Sequence, residues 1–249
     1  MKSYSSFYYR IAIISLCLFP VINTFAQWPQ WCGPMRDGIR KEVNLLNIWP
    51  AEGPRLIWSS DAVGDGFSST AIQNKMVYTT GKRDSVEILT ALDLKGNVKW
   101  QKVFGRASQE KDWPQSRSTP TVYKNKVYAI TVYGDIACFD SKSGNIDWKM
   151  AAFEKFGSKG YNAPAGGIAE SPLVIDDKMI ITPCGDNTTM VALNRLTGKT
   201  IWISESIHDS TGFTSPVLFP VYNKKTIFTS TQKNDLIVDY NTVKIIWMD

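Results

Sequence analysis

The sequence repeats one short pattern four times, and this repeat constrains the fold more than any other feature. Each copy is a run of alternating apolar residues, an Asp or Asn turn, usually a glycine, and a second run that closes on tryptophan. The copies are ALDLKGNVKW, CFDSKSGNIDW, ALNRLTGKTIW and VDYNTVKIIW. Period-two alternation on both sides of a turn predicts a β-hairpin. The glycine supplies a positive φ, and Val243 replaces it in the last copy, which predicts a looser turn there.

A second hairpin precedes each of these, so the repeating unit is a four-stranded antiparallel sheet. Pro120, Pro172 and Pro216 stand at the start of its first strand, where a missing N–H removes no ladder bond, and Thr70 takes that place in the first copy. Counted from Trp58, successive closing tryptophans are 42, 48, 54 and 45 residues apart. Such intervals are typical of β-propeller blades, at about 40 to 50 residues, and not of helical repeats at about 34.

The repeat therefore predicts an all-β chain with a partial β-propeller over residues 67–249. The predicted blades cover residues 67–102, 116–150, 170–204 and 213–249, and a helical turn is expected at residues 150–156. The tryptophans predicted to pack between neighbouring blades are Trp58, Trp100, Trp148, Trp202 and Trp247. A single β-sandwich is the alternative, but it has no reason to repeat proline, turn residue, glycine and tryptophan in one order.

The repeats are too few for a large propeller ring. Eight blades need about 360 residues at about 45 each, whereas the repeats fill about four blades. Residues 27–66 are predicted as an N-terminal extension with an orphan outer strand at residues 55–60. Closed four-bladed rings exist, but blade four already has its own outer strand. We expect an incomplete ring: either a truncated product, favoured because the sequence stops directly after a hairpin, or one completed by a second chain.

The hairpins resemble those of the pyrroloquinoline-quinone (PQQ) repeat family, whose blades carry A-x-D-x-x-T-G-K-x-x-W; ALNRLTGKTIW is close to it, with Asn194 for the Asp. The segments WPQWCGPMRDG and WPAEGPRLIW resemble the opening of exported quinoprotein alcohol dehydrogenase-like propellers, with Cys32 where a basic residue is expected. The resemblance implies a propeller, usually of seven or eight blades. Some members are quinone-dependent alcohol dehydrogenases, and many others are non-catalytic, including an outer-membrane assembly factor.

The first 26 residues have the pattern of a secretory signal peptide. Lys2 and Arg10 precede an apolar run at residues 11–22, and Ala26 ends a small-residue exit. The run is about a dozen residues, which is short of the roughly 20 that a membrane-spanning helix needs. The sequence therefore predicts export to the periplasm or the outside of the cell, with no membrane span.

Cysteine and charge content narrow the chemistry further. Three cysteines follow the leader, Cys32, Cys138 and Cys184, and their odd number leaves at least one free thiol or one intermolecular bond. Without the two basic leader residues the chain has 26 basic and 23 acidic groups, a balance too weak to predict nucleic-acid binding. His208 is the single histidine, which excludes the two-histidine zinc-protease motif.

Propeller ligands bind at the mouth of the central channel, on the loops that enter each innermost strand. Aligned on the shared proline, the predicted ligand-binding residues are Arg117, Ser118, Glu170 and Thr214. A guanidinium can hold a carboxylate or a quinone oxygen with two hydrogen bonds, and a carboxylate can hold calcium. Alternatively, Arg117 and Glu170 pair with each other across the channel wall.

The sequence favours a non-catalytic, exported binding or scaffold module for a protein or a glycan, without a cofactor and with Tyr161 as a candidate contact. A purely structural scaffold differs from it only in having no ligand. The alternative is a relative of the PQQ-dependent alcohol dehydrogenases, of the polyvinyl alcohol type, with PQQ and calcium. The resemblance implies that such an enzyme carries adjacent cysteines, which this sequence lacks, and half a ring could not enclose the quinone. The sequence also contains no GxSxG motif for a hydrolase.

Overall fold

The computed structural model describes residues 27–40, 42–109, 115–158 and 167–249. These residues form four four-stranded antiparallel sheets, and in each sheet the strands lie side by side in chain order. The architecture is the predicted one, an all-β array of propeller blades in an incomplete ring. The predicted leader and Tyr161 lie outside the described residues.

The strand bounds define the blades. Blade 1 consists of β1 Ala71–Gln73, β2 Met76–Arg83, β3 Val86–Asp93 and β4 Val98–Arg106. Blade 2 consists of β5 Thr121–Tyr123, β6 Lys126–Ile130, β7 Asp135–Asp140 and β8 Ile146–Ala151. Blade 3 consists of β9 Leu173–Ile175, β10 Lys178–Ile181, β11 Val191–Asn194 and β12 Thr200–Ile203. Blade 4 consists of β13 Val217–Leu218, β14 Thr226–Ser230, β15 Asp235–Asp239 and β16 Ile245–Met248. The expected helical turn is the short helix α1, Ala152–Phe156.

The blades pack face to face because their central strands are apolar on both sides. In β6, Val127 and Ala129 belong to the hydrophobic cluster shared with blade 1, whereas Tyr128 and Ile130 belong to the cluster shared with blade 3. A third cluster joins blade 3 to blade 4. Successive side chains of a strand point to opposite faces, so a blade between two neighbours needs apolar residues at nearly every central position.

Tryptophan and glycine meet at three successive junctions. Trp58, Trp100 and Trp148 each lie against the turn glycine of the next blade. Their indole N–H groups donate to the carbonyl oxygens of Leu94, Ser141 and Arg195, at 2.9, 3.1 and 3.0 Å. A Cβ at Gly96, Gly144 or Gly198 would lie 2.6 to 2.7 Å from an indole carbon. The glycine therefore serves twice, since it adopts a positive φ and leaves room for the indole.

The sequence predicted a looser turn at Val243, but the fourth turn has the same backbone geometry as the glycine turns. Val243 has a φ of 68° and its N–H donates to the Asp239 carbonyl oxygen at 2.9 Å, as in the glycine turns. The Asp239 carboxylate also accepts hydrogen bonds from the N–H groups of Asn241 and Thr242, which holds the turn in shape. The valine changes the junction instead: the indole N–H of Trp202 is buried and has no hydrogen-bond partner within the described chain.

Replacing Val243 with glycine is expected to raise the free energy of unfolding by about 1 kcal/mol. The change removes a β-branched residue from a positive φ and makes room for the Trp202 indole to reach a turn carbonyl. Urea denaturation of the full chain measures the effect. Val243→Ala, which keeps a Cβ at the same φ, is the control and should gain less. A lower stability of Val243→Gly than of the unaltered protein would contradict this account.

Residues 55–60 differ from the predicted orphan strand. They form no β-ladder with any described residue. A strand of this kind needs a sheet edge beside it, whereas these residues meet blade 1 through Trp58 at the turn of Gly96. Leu56 and Ile57 are exposed. In the described part of the chain, this segment contributes a tryptophan to the first junction and belongs to no sheet.

Candidate functional site

The loops before the innermost strands are joined by a chain of hydroxyl groups. The N–H of Ser69 donates to Thr119 Oγ1 at 3.1 Å, and the N–H of Thr119 donates to Ser171 Oγ at 3.0 Å. The N–H of Ser171 donates to Ser215 Oγ at 2.9 Å. Each hydroxyl belongs to the residue just before the shared proline position. This repeated Ser or Thr therefore links each blade to the next on the central side.

Residues 27–38, which we call the N-terminal segment, lie along this central side. Trp28 and Ile72 of β1 exchange two backbone hydrogen bonds of 2.8 Å. The N–H of Val122 in β5 donates to the carbonyl oxygen of Pro29 at 2.7 Å. Gly33 lies under the Trp28 ring, where a Cβ would approach a ring carbon at 2.7 Å. Backbone pairing and this tight turn set the position of the residues that follow.

Arg36 projects from the N-terminal segment into the space where three blades begin. It is 7% exposed, although arginine is rarely buried unless its charge is compensated. Its guanidinium donates to Gln30 Oε1 at 3.0 Å, the carbonyl oxygens of Ser171 at 3.1 Å, Pro216 at 2.8 Å and Pro172, and Thr121 Oγ1 at 3.4 Å. A guanidinium has five N–H donors, so all of them have an acceptor.

Glu170 is a second buried ionisable group near this guanidinium. The carboxyl group is fully buried, and both of its oxygens accept from the Thr182 N–H at 3.0 Å. Burial raises the pKa of Glu170 to about 8, and the charge of Arg36 opposes this shift only in part. Burial also lowers the pKa of Arg36 to about 10, with Glu170 opposing. The guanidinium therefore stays charged at neutral pH.

A second buried carboxyl group lies between blades 1 and 2. Glu87 of β3 accepts from Ser116 Oγ at 2.6 Å and from the Val132 N–H at 2.7 Å. Burial raises the pKa of Glu87 to about 7. Burial lowers the pKa of Arg117, and the charge of Glu87 opposes that shift. The Arg117 guanidinium carbon also lies 5.9 Å from the Phe213 ring centroid.

The structure places the sequence-predicted ligand residues in different surroundings. The charge of Arg36 lowers the pKa of Glu170, and the charge of Glu87 raises the pKa of Arg117, each against the larger effect of burial. Ser118 is buried, and its carbonyl oxygen accepts from Thr80 Oγ1 at 2.6 Å. Thr214 is exposed and donates to the Ser230 carbonyl oxygen at 2.7 Å.

Arg36 is the residue that the sequence analysis missed. A basic residue was expected at Cys32, and Arg36 supplies the positive charge four residues later in the same turn. Cys32 is half-buried beside it and acts electrostatically on its guanidinium. The available signal was a basic residue between Gly33 and Gly38, because a turn bounded by glycines can bring its side chain close to other backbone.

The three cysteines of the described chain are free thiols, Cys32, Cys138 and Cys184. Burial raises the pKa of Cys138 to about 12 and also raises the pKa of Cys184. A thiol of high pKa is a poor nucleophile and a poor metal ligand at neutral pH. Cys138 and Cys184 are therefore packing residues of the blades.

Blade 4 has one apolar face that no other blade covers within the described chain. Phe219 and Trp247 are 50% and 45% exposed, and with Phe228 and Ile237 they line a shallow cavity of about 410 Å³. We call these four residues the open face. Phe228 and Ile237 are cross-strand partners in blade 4, and the equivalent partners in blade 2 are Tyr128 and Cys138. Both blade 2 residues are 0% exposed, because blade 3 covers them.

None of the described helices is long and apolar enough to span a membrane. Across residues 27–40, 42–109, 115–158 and 167–249, no three His, Cys, Asp or Glu side chains are grouped so that they could hold a metal ion.

Four-stranded blades, joined by a tryptophan that lies over the next blade's turn, define the PQQ-like class of β-propeller. A protein-family model described as outer membrane protein assembly factor BamB matches residues 39–152. This match confirms the predicted resemblance to the PQQ-repeat β-propeller family over those residues, and the solved structures below share the fold. Comparison with curated proteins finds no match.

Solved structures of this fold come from dehydrogenases and from an assembly factor. BamB from Moraxella catarrhalis is 22% identical, with a TM-score of 0.50 over 74% of this chain and 51% of that chain. Quinohemoprotein alcohol dehydrogenase ADHIIG from Pseudomonas putida HK5 is 15% identical, with a TM-score of 0.50 over 75% and 34%. The quinohemoprotein alcohol dehydrogenase from Comamonas testosteroni is 17% identical, with the same score and coverage. The chain matches only a third to a half of each of these proteins, and the likeness concerns the fold alone.

Proposed function

We propose that this protein is a non-catalytic, exported module that binds another protein through the open face of blade 4. The observation that carries the proposal is one cavity lined by the exposed Phe219 and Trp247 together with the partly exposed Phe228 and Ile237. Contiguous exposed apolar residues are typical of interaction sites. The leader-like sequence at residues 1–26 supports export, and the matched family model, described as an assembly factor, supports a protein partner.

The chemistry of the open face favours a protein over a glycan. Its side chains are aromatic and aliphatic, so a ligand rich in hydroxyl groups would leave those groups without hydrogen bonds. Phe and Trp are enriched in the cores of protein interfaces. The expected partner surface is an apolar β-sheet, because a sheet covers the equivalent positions Tyr128 and Cys138 on blade 2.

The central side argues against the dehydrogenase alternative. Arg36 fills the space where the blades begin and uses all of its donors on the chain itself. Glu170, the carboxylate that the sequence offers for calcium, is buried and accepts from the Thr182 N–H. These residues do not fit PQQ with calcium, so the proposed module works without this cofactor.

A phage-displayed library of β-hairpins, selected on the full chain, tests the proposal. Hairpins selected on the unaltered protein are expected to bind at least about 10-fold more weakly to Phe219→Ser and Trp247→Ser, because truncating a central aromatic anchor removes more than about 1.4 kcal/mol. Leu196→Ser is the matched control, since Leu196 is 52% exposed but lies in the turn between β11 and β12. Its affinity should be unchanged.

Three outcomes would contradict the proposal. Equal losses of hairpin affinity in Leu196→Ser and in the open-face variants would show that the hairpins do not bind at the open face. Glycan-array binding that Trp247→Ser abolishes, without hairpin binding, would assign the face to a glycan. A bound-quinone absorbance with dye reduction, after addition of PQQ and calcium, would show that the protein is catalytic.

A further inference from the structure

We propose that the central side of the blades is a guanidinium-binding site, which this chain fills with its own Arg36. Arg36 then acts as a tethered ligand that locks the starts of blades 2, 3 and 4 together. This inference is independent of the open face and of the proposed partner. It rests on the acceptors, their origin and their geometry.

The acceptors form a site that exists apart from the N-terminal segment. Four of the five belong to the blades and only Gln30 to the segment itself. Thr121 begins blade 2, while Ser171 and Pro172 precede blade 3 and Pro216 precedes blade 4. The proline rings and the hydroxyl chain hold these backbone positions, so the acceptors should stay in place when the arginine is removed.

The arrangement selects a guanidinium over an ammonium ion. A guanidinium is a planar fork with five donors, whereas an ammonium group offers three donors around a point charge. Here Nη1 and Nη2 each donate to two acceptors, and Nε donates to Gln30. The carboxyl group of Glu170, buried nearby, favours the positive charge of the same cation where it is ionised.

The tether makes the site intramolecular. Residues 27–38 are held by the Trp28–Ile72 backbone pair, so the Arg36 side chain is presented to the acceptors at a high effective concentration. Truncating the side chain would take this donor from the carbonyl oxygens of Ser171 and Pro216, whereas the Pro172 carbonyl oxygen would keep its hydrogen bond from Thr121 Oγ1. A small guanidinium compound should then enter the vacated space, and no such space exists in the unaltered protein.

Thermal unfolding of the full chain tests the site with two probes, methylguanidinium chloride and methylammonium chloride, at equal ionic strength. Arg36→Ala is expected to lower the melting temperature by about 10 °C, as for loss of a buried charged network. Millimolar methylguanidinium should raise the melting temperature of Arg36→Ala by at least about 3 °C more than methylammonium does. The unaltered protein should show no such difference. Arg36→Lys, which keeps a charge without the fork, should remain below the unaltered protein.

Arg40→Ala is the matched control, because Arg40 is on the same stretch of chain but is exposed and contacts Gln27 and Glu42. It should show neither the loss nor the selective recovery. If Arg36→Ala is insoluble, its refolding yield with each probe replaces the melting temperature, and methylguanidinium alone should raise it. Equal effects of the two probes, or an unchanged melting temperature in Arg36→Ala, would overturn the proposal.

Discussion

Replacing Gly144 with valine is expected to lower the free energy of unfolding by about 3 kcal/mol or more. A Cβ at this position would lie 2.6 Å from Cδ2 of Trp100, and the residue has a φ of 71°. Trp100 is buried and stacks on Phe139 at 6.1 Å between ring centroids. The valine would displace this indole, break its hydrogen bond to the Ser141 carbonyl oxygen and disturb the junction between blades 1 and 2.

Urea denaturation of the full chain, followed by circular dichroism, measures this loss. Gly53→Val is the matched control, because Gly53 has a φ of 75° but an added Cβ there would meet no atom within 4 Å. The control carries the backbone strain alone, about 1 to 2 kcal/mol. Equal losses in the two variants would mean that the indole contact contributes nothing, which would contradict the junction described here.

The fourth blade turn shows how such a junction behaves with valine in place. Val243 keeps the positive φ, and the Trp202 indole N–H has no partner in the described chain. In Gly144→Val we therefore expect Trp100 to lose its hydrogen bond in the same way. Val243→Gly and Gly144→Val should shift stability in opposite directions.

Stability is also expected to fall as the pH rises from about 5 to about 8. Burial raises the pKa of Glu87 to about 7 and that of Glu170 to about 8. Between the ordinary glutamate pKa, near 4.3, and these raised values, the folded chain binds more protons than the unfolded chain. The stabilisation is complete below the ordinary value and is lost progressively up to about pH 7 for Glu87 and about pH 8 for Glu170. Each group contributes at most about 1.4 kcal/mol per pH unit.

Melting temperatures measured between pH 5 and 8.5 check this slope. Glu87→Gln and Glu170→Gln should each reduce the slope of melting temperature against pH near the raised pKa of the replaced residue. Glutamine has nearly the same side-chain shape as glutamate but does not titrate. Glu42→Gln is the control, since Glu42 is an exposed partner of Arg40, and its profile should match that of the unaltered protein. A melting temperature that rises with pH over this range would contradict the assignment.

The sequence by itself determined the repeat architecture. Each blade and its junction need the same local features: alternating strands, a turn glycine and a closing tryptophan. These features therefore recur in the repeats, with the turn glycines at residues 96, 144 and 198. The sequence was wrong about the fourth turn, where the Asp239 hydrogen bonds hold Val243 at a positive φ. The predicted strand at residues 55–60 is also absent, because a strand needs a neighbouring sheet edge and these residues pair with no described strand.

Only the tertiary structure decided what occupies the central side. Arg36 bonds to residues 85 to 180 positions away in the sequence, and no pattern within one repeat encodes contacts between the N-terminal segment and three blades. The partners of Glu170 and Arg117 were undetermined for the same reason, because both lie where several blades converge. Local periodicity specifies a blade, whereas the charges at the centre are paired by how the blades are arranged around it.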